Sequence, residues 1–350
     1  IYEPQALYCE LFLLPLHRIM RRSKRMESSN LIIRNATVVN EGEHFQASVR
    51  IADGRIAEVA RDRELPAGPN VKIADGMGCF LLPGIIDEHV HMREPGLTHK
   101  ATFESETRAA ARGGVTTVLD MSNVLPQTTS IQLLEERYAL AEGRCHVNYG
   151  FYLGATNDNL EDIKRLNPAA SPGVKLFMGS STGNMLVDRE ASLRHIFHDS
   201  PTLVMAHCED TDRINANTTA AKKLYGDNPD VRFHTVIRDH EACLRSTRLA
   251  VRLAREEGAR LHVAHLATAQ ELELFRPDDD RITAEACLPH LLFTDDDYPR
   301  LGTRIKCNPS IKTRTDREAL RKALTDGRIR TVATDHAPHS QEDKAAGAPG

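Results

Sequence analysis

No Cys-x-x-Cys pair occurs in this chain. Its seven cysteines (Cys9, Cys79, Cys145, Cys208, Cys243, Cys287 and Cys307) are scattered and odd in number. That argues against a thiolate zinc site and fits free thiols in a reducing, cytoplasmic setting. Net positive charge is also lacking: 45 Lys and Arg stand against 49 Asp and Glu, giving -4 at pH 7. No overall basic field therefore points to nucleic acid, and the basic cluster at 21–25 reads as a solvated tail. No apolar run reaches the roughly 20 residues of a membrane span. The short run at 11–16 precedes the basic cluster, the reverse of a secretory signal. No repeat closer than a strand–helix unit is found. No Gly-x-Gly-x-x-Gly follows the first strand of the main body, which argues against dinucleotide binding.

What the chain does have is length and pattern. It has 350 residues, 41% of them hydrophobic, enough for one large α/β barrel or two smaller domains. Residues 1–25 read as a disordered or foreign leader, with Met26 as a plausible true start. The last residues, 345–350, read as a loop cut open, so the chain is expected to be a fragment. Residues 26–82 contain β-type runs at 31–33, 37–39, 47–51 and 55–59, with Asp53-Gly54 as a hairpin turn. This is expected to be a small antiparallel β unit.

From residue 80 strands and helices alternate. Strands are expected at 80–91, 115–121, 146–153, 173–178, 202–207, 260–266, 282–287 and 330–335, and helices at 104–112, 131–141, 236–257 and 316–325. Several strands are continuously apolar, as parallel strands covered on both faces are. The fold class is α/β, and residues 83–350 are read as a (β/α)8 TIM-type barrel truncated at its C-terminal end. A doubly wound open sheet is the alternative.

In such a barrel the C-terminal strand ends converge on one mouth. His89 and His91 lie at i and i+2 after an apolar run, so both should face one side. Lys175 sits inside the apolar run 173–177, a costly place for an amine unless it is paired or neutral. His207, His265 and Asp335 end later strands. One lone strand histidine is commonly a core residue; a set recurring at the same end of successive strands is not. Of His262 and His265, three apart, only the later is expected to face the mouth. Glu88 should face away from it. Four histidines, an aspartate and a lysine suit two divalent cations with N and O ligands.

Residues 87–96 (Asp-Glu-His-Val-His-Met-Arg-Glu-Pro-Gly), the Gly-Val-Lys-Leu run at 173–176 and Thr-Asp-His-Ala-Pro-His at 334–339 resemble the amidohydrolase superfamily, and within it the dihydroorotases of the larger, class I type. The resemblance covers about residues 30–345. It implies a metal-dependent cyclic amide hydrolase that interconverts L-dihydroorotate and N-carbamoyl-L-aspartate in pyrimidine synthesis. His89, His91 and Asp335 would hold one zinc ion and His207 and His265 a second. Lys175, carboxylated by carbon dioxide, would bridge them. A metal-bridging hydroxide would attack the ring amide, with Asp335 as general base and then acid. Arg93, Asn123, Asn308 and His339 would bind the substrate, the guanidinium meeting its carboxylate.

The sequence departs from the family at Met121-Ser122-Asn123, where Met-Pro-Asn is commoner, and Lys175 stands where many bacterial members have aspartate. The resemblance leaves two other functions open: a hydantoinase- or allantoinase-type cyclic amidase, and a non-catalytic scaffold of the same fold. The only partner expected is the small-molecule substrate, with no nucleic acid and no membrane; a homodimer is the default assembly.

Overall fold

The computed structural model describes residues 30–179 and 184–347. The expected leader at 1–25 lies outside the described residues.

The first unit is a five-stranded sheet. Strands β1 (Leu31–Asn40), β2 (Glu43–Ala52) and β3 (Arg55–Arg61) pair antiparallel, while β4 (Lys72–Asp75) and β5 (Phe80–Leu81) both pair parallel to β1. The sheet is thus mixed, not antiparallel throughout. The runs at 31–33 and 37–39 form one strand, because a register irregularity between Ile33 and Ala36 takes up Asn35 at φ 57°. Asp53 and Gly54, at φ 51° and 69°, make the β2–β3 turn, which demands positive φ at both positions.

The second unit is a closed cylinder. In one direction β6 (Ile85–Val90), β7 (Val115–Asp120) and β8 (Asn148–Phe151) pair in parallel. After one intervening residue, β9 (Leu153–Gly154) continues through β10 (Val174–Phe177), β11 (Val204–His207), β12 (Leu261–Val263), β13 (Ile282–Cys287) and β14 (Thr331–Ala333). Closure comes from a parallel bridge between Val90 and His336, with the His91 amide donating to the His336 carbonyl at 2.8 Å. With β8 and β9 as one interrupted strand, eight parallel strands close a (β/α)8 barrel among the described residues.

Helices pack outside. They include α1 (Phe103–Arg112), α2 (Ile131–Ala141), α3 (Leu160–Lys164), α4 (Glu190–Asp199), α5 (Thr211–Tyr225), α6 (His240–Glu256) and α7 (Arg314–Thr325). Side-chain caps fix the starts of five of these: Thr102, Ser130, Asp210, Asp239 and Thr313 each accept an amide of the first turn. Asp239 also explains why the expected helix at 236–257 is broken before His240. Outward residues of the strands join the helices in the main core, as Val204, Ala206, Leu261 and Val263 do. Inward residues form a second, smaller apolar cluster of Leu119, Met121, Tyr152, Met205 and Ala264. Among the described residues no helix is long and apolar enough to cross a membrane.

One expectation about the first barrel strand fails. The apolar run at 80–86 is not a buried strand: Phe80 is 70% exposed and Ile85 54%. Phe80 and Leu81 leave to pair with β1, and burial begins only at Asp87.

A buried ion pair ties the mouth loops together. Arg137 on α2 donates to Asp120 Oδ2 at 2.5 Å, to the Met121 carbonyl at 2.7 Å and to the Glu94 carbonyl at 3.2 Å. Burial raises Asp120 to about 6 even beside this cation. Removing one partner strands the other in low dielectric. Arg137→Ala is therefore expected to cost about 3–5 kcal/mol in urea unfolding; a loss under about 1 kcal/mol would show the pair to be dispensable.

Candidate metal centre and anion pocket

The end of β6 is bulged. Asp87 aligns with Val118 but Val90 with Asp120, three steps against two. The extra residue lets Glu88 and His89 both turn into the barrel, so Glu88 does not face away as strict alternation would have it. His89 Nδ1 lies 2.5 Å from Glu285 Oε1, and its Nε2 lies 3.2 Å from Asp335 Oδ1. His91 places Nε2 3.1 Å from the same Asp335 oxygen and Nδ1 2.9 Å from Asn123 Oδ1. Asp87 secures the far side, accepting from the Thr334 hydroxyl at 2.6 Å and the Thr334 amide at 3.2 Å. That holds the residue preceding Asp335 against β6.

The other histidines enter from β11 and β12. His207 Nδ1 faces His265 Nε2 at 2.9 Å, while His207 Nε2 lies 2.9 Å from Glu209 Oε2. The strand β12 stops at Val263, and His265 takes φ 37°, which swings its ring back toward the axis. Glu285 accepts its amide at 3.0 Å. His262 points inward as well, one layer deeper, with Nδ1 2.9 Å from Thr283 Oγ1. The break after Val263, not continued alternation, thus brings both residues inside. Donor atoms of His89, His265 and Asp335 all lie within 4.8 Å of one another. Three residues of the mouth, Arg93, His265 and Asp335, have φ of 66°, 37° and 50°. Such backbone is sparsely populated outside glycine and gathers at functional sites.

The residues present fit divalent cations. His91 has an oxygen acceptor on each ring nitrogen, and so has His89. A neutral imidazole donates only once, so a neutral His91 ring must turn one lone pair toward an oxygen. Burial drives His91 down to about 4, against the imidazolium that would relieve this. Burial also opposes the charge of Asp335, yet His89 and His91 hold its carboxyl well below the ordinary range. Lys175 is fully buried, its Nζ has no hydrogen-bond partner, and burial lowers its pKa. Cation ligation resolves all of these at once. His89, His91, Asp335, His207, His265 and Lys175 are the residues that would hold the ions, and an N/O donor set of this kind suits zinc.

Beside this cluster cations converge. Arg93 donates through Nε to the Pro338 carbonyl at 3.0 Å and points Nη2 at His339 Nε2, 3.1 Å away. Lys100 Nζ lies 3.2 Å from His339 Nδ1. Burial, then Arg93 and Lys100, bring His339 down to about 4, so its ring is neutral at pH 7 and can accept from only one of them. Asp343 Oδ2 stands 3.8 Å from Lys100 Nζ, while the Arg93 guanidinium has no carboxylate within ion-pair distance among the described residues. Glu94 is not the partner of Arg93; its carboxylate pairs with Arg144 at 2.6 Å.

The two asparagines hold histidines. Asn123 Oδ1 accepts at His91, and Asn308 Oδ1 lies 3.1 Å from His234 Nε2, so neither side-chain oxygen is aimed at open space. Three side chains escaped the sequence reading. Glu285 is an acid in an apolar strand, the same signal that marked Lys175. Glu209, held well below its usual range by Arg238 and His207 against the effect of burial, sat beside a marked histidine. Lys100 reaches the site from a loop and had no signal at all.

The sequence pattern of the amidohydrolase family matches residues 80–349. The chain is 33% identical over 328 residues to an allantoinase of Streptomyces avermitilis, covering 91% of this chain and 72% of that protein. It is 35% identical over 306 residues to a dihydroorotase of Halobacterium salinarum, covering 85% and 70%. Among solved structures it is similar to the L-hydantoinase (dihydropyrimidinase) of Arthrobacter aurescens, with a TM-score of 0.84 at 26% identity, covering 91% of this chain and 72% of that one.

If Asn123 orients His91, Asn123→Ala lowers zinc affinity about 10–100-fold in a competition titration. Unchanged affinity with a raised KM would make it a substrate contact only.

Proposed function

The chain belongs to the amidohydrolase family of hydrolases, and from that premise we propose that its substrate is L-dihydroorotate, opened reversibly to N-carbamoyl-L-aspartate. One observation carries the choice: Arg93 and Lys100 converge on a neutral His339 beside the ligand cluster. A planar guanidinium matches a carboxylate, which dihydroorotate bears and the neutral rings of allantoin and hydantoin do not.

Bound divalent cations would supply Lewis acidity, polarising the amide carbonyl and making water acidic enough to react near neutral pH. The chain's own groups do the rest. Arg93, assisted by Lys100, fixes the substrate carboxylate and so the ring's orientation. Asp335, kept ionised by the imidazoles around it, accepts the proton of the attacking water and delivers it to the departing ring nitrogen as the amide C–N bond breaks. Lys175, its charge disfavoured by burial, adds carbon dioxide through its nitrogen lone pair and releases a proton. The carbamate gives two oxygen donors in a site otherwise lined by imidazoles and one carboxylate.

The relatives named allantoinase and hydantoinase define the competing reading. Initial rates on dihydroorotate, allantoin and hydantoin separate them: turnover of dihydroorotate is expected, and hydrolysis of the neutral rings alone would overturn the proposal. Arg93→Ala should lower kcat/KM for dihydroorotate by about 100-fold or more, chiefly through KM. Exhaustive chelation should abolish turnover and zinc should restore it.

A further inference from the structure

Below the mouth the barrel holds a second set of donors that the proposed chemistry does not use. Glu88 on β6, His262 on β12 and Glu285 on β13 offer three ligand atoms within 4.8 Å of one another. His262 is 5% exposed and Glu285 fully buried. Glu88 Oε1, His262 Nε2 and Glu285 Oε2 are all buried, and none has a hydrogen-bond partner. Three orphaned polar atoms in one spot are uncommon in a folded interior.

Their hydrogen-bond accounting specifies what is missing. His262 Nδ1 lies 2.9 Å from Thr283 Oγ1, whose hydroxyl can donate to the Leu261 carbonyl at 3.4 Å. With the proton on Nδ1, the Nε2 lone pair faces Glu285 Oε2 across 3.6 Å. The gap is too long for a hydrogen bond. It is close to the edge, roughly 3.4 Å, of a tetrahedron of ligands with bonds of about 2.1 Å around one zinc-like cation. Two acidic side chains crowd this spot, a costly arrangement in low dielectric if both are ionised. The other Glu285 oxygen is already committed to His89 and to the His265 amide. Thr331, on the β14 position paired with Glu285, sets its hydroxyl beside the Glu88 carboxyl.

The geometry points to a third divalent-cation site inside the barrel, formed by Glu88, His262 and Glu285, separate from the centre at the mouth. One dication would offset the charge of the Glu88 and Glu285 carboxylates, with the His262 ring nitrogen completing the set. Sharing Glu285 with His89, the buried ion would stiffen the wall that carries His89 and His265. The β6 bulge is what makes the site possible, since it brings Glu88 inward.

Zinc alone is the probe, and the readout does not depend on turnover or on the identity of the substrate. The full chain is equilibrated with excess Zn2+, freed of unbound metal and analysed by mass spectrometry for metal content. Glu88→Gln, which keeps shape but removes a charge, is expected to bind one zinc fewer than the wild type. Lys175→Ala should lose ions at the mouth and keep this one. An anomalous-scattering map of the wild-type crystal at the zinc edge should show a peak among the three residues, whatever the folding of the variants. Equal zinc content in wild type and Glu88→Gln, or a map with only water or nothing there, would overturn the inference.

Discussion

A lysine amine buried among imidazoles is the constraint on which the site turns. Lys175 occupies the middle of an apolar barrel strand with no hydrogen-bond partner for its nitrogen. No fold keeps a bare ammonium there without large cost, and burial accordingly lowers its pKa. A neutral amine is a nucleophile and a ligand precursor. Around it, His207 and His265 face each other, and His89 and His91 turn toward Asp335. Together these groups would form a donor shell for cations.

The shell is assembled by local departures from regular strand geometry. The β6 bulge admits two consecutive side chains to the interior. The end of β12 and the left-handed backbone of His265 return a ring that would otherwise continue along the strand. Asp335 reaches the cluster through φ 50°, with its neighbour Thr334 held by Asp87. A second layer then fixes the rings: Glu285 on His89, Asn123 on His91, Glu209 on His207. Such outer partners set tautomers and ligand basicity. The cationic cluster beside it is built differently, from loops after β6 and β14, where Arg93, Lys100 and His339 meet.

Much of this was legible from residue order because barrel topology converts strand ends into a common mouth. The helix at Ile131–Ala141 and, from its Asp-Gly dipeptide, the turn at 53–54 are legible in the sequence. Lys175 stands out as a charged residue inside an apolar run, and His207 and Asp335 as polar residues at the ends of others. What was illegible depends on geometry without a local signature. A bulge shifts alternation by one residue, so Glu88 was placed on the wrong face. An early strand end reversed the expectation for His262. Asn123 and Asn308 have the residue type of a substrate contact, but their oxygens meet histidines that lie far away in the sequence. Glu285 was legible in principle, since the rule that singled out Lys175 applies equally to an acid within β13.

The most direct test of the central claim is carbon-13 NMR of the metal-loaded chain equilibrated with labelled bicarbonate. The account predicts one carbamate resonance per chain that is absent from Lys175→Ala. A chain that opens dihydroorotate while showing no labelled carbamate would contradict it.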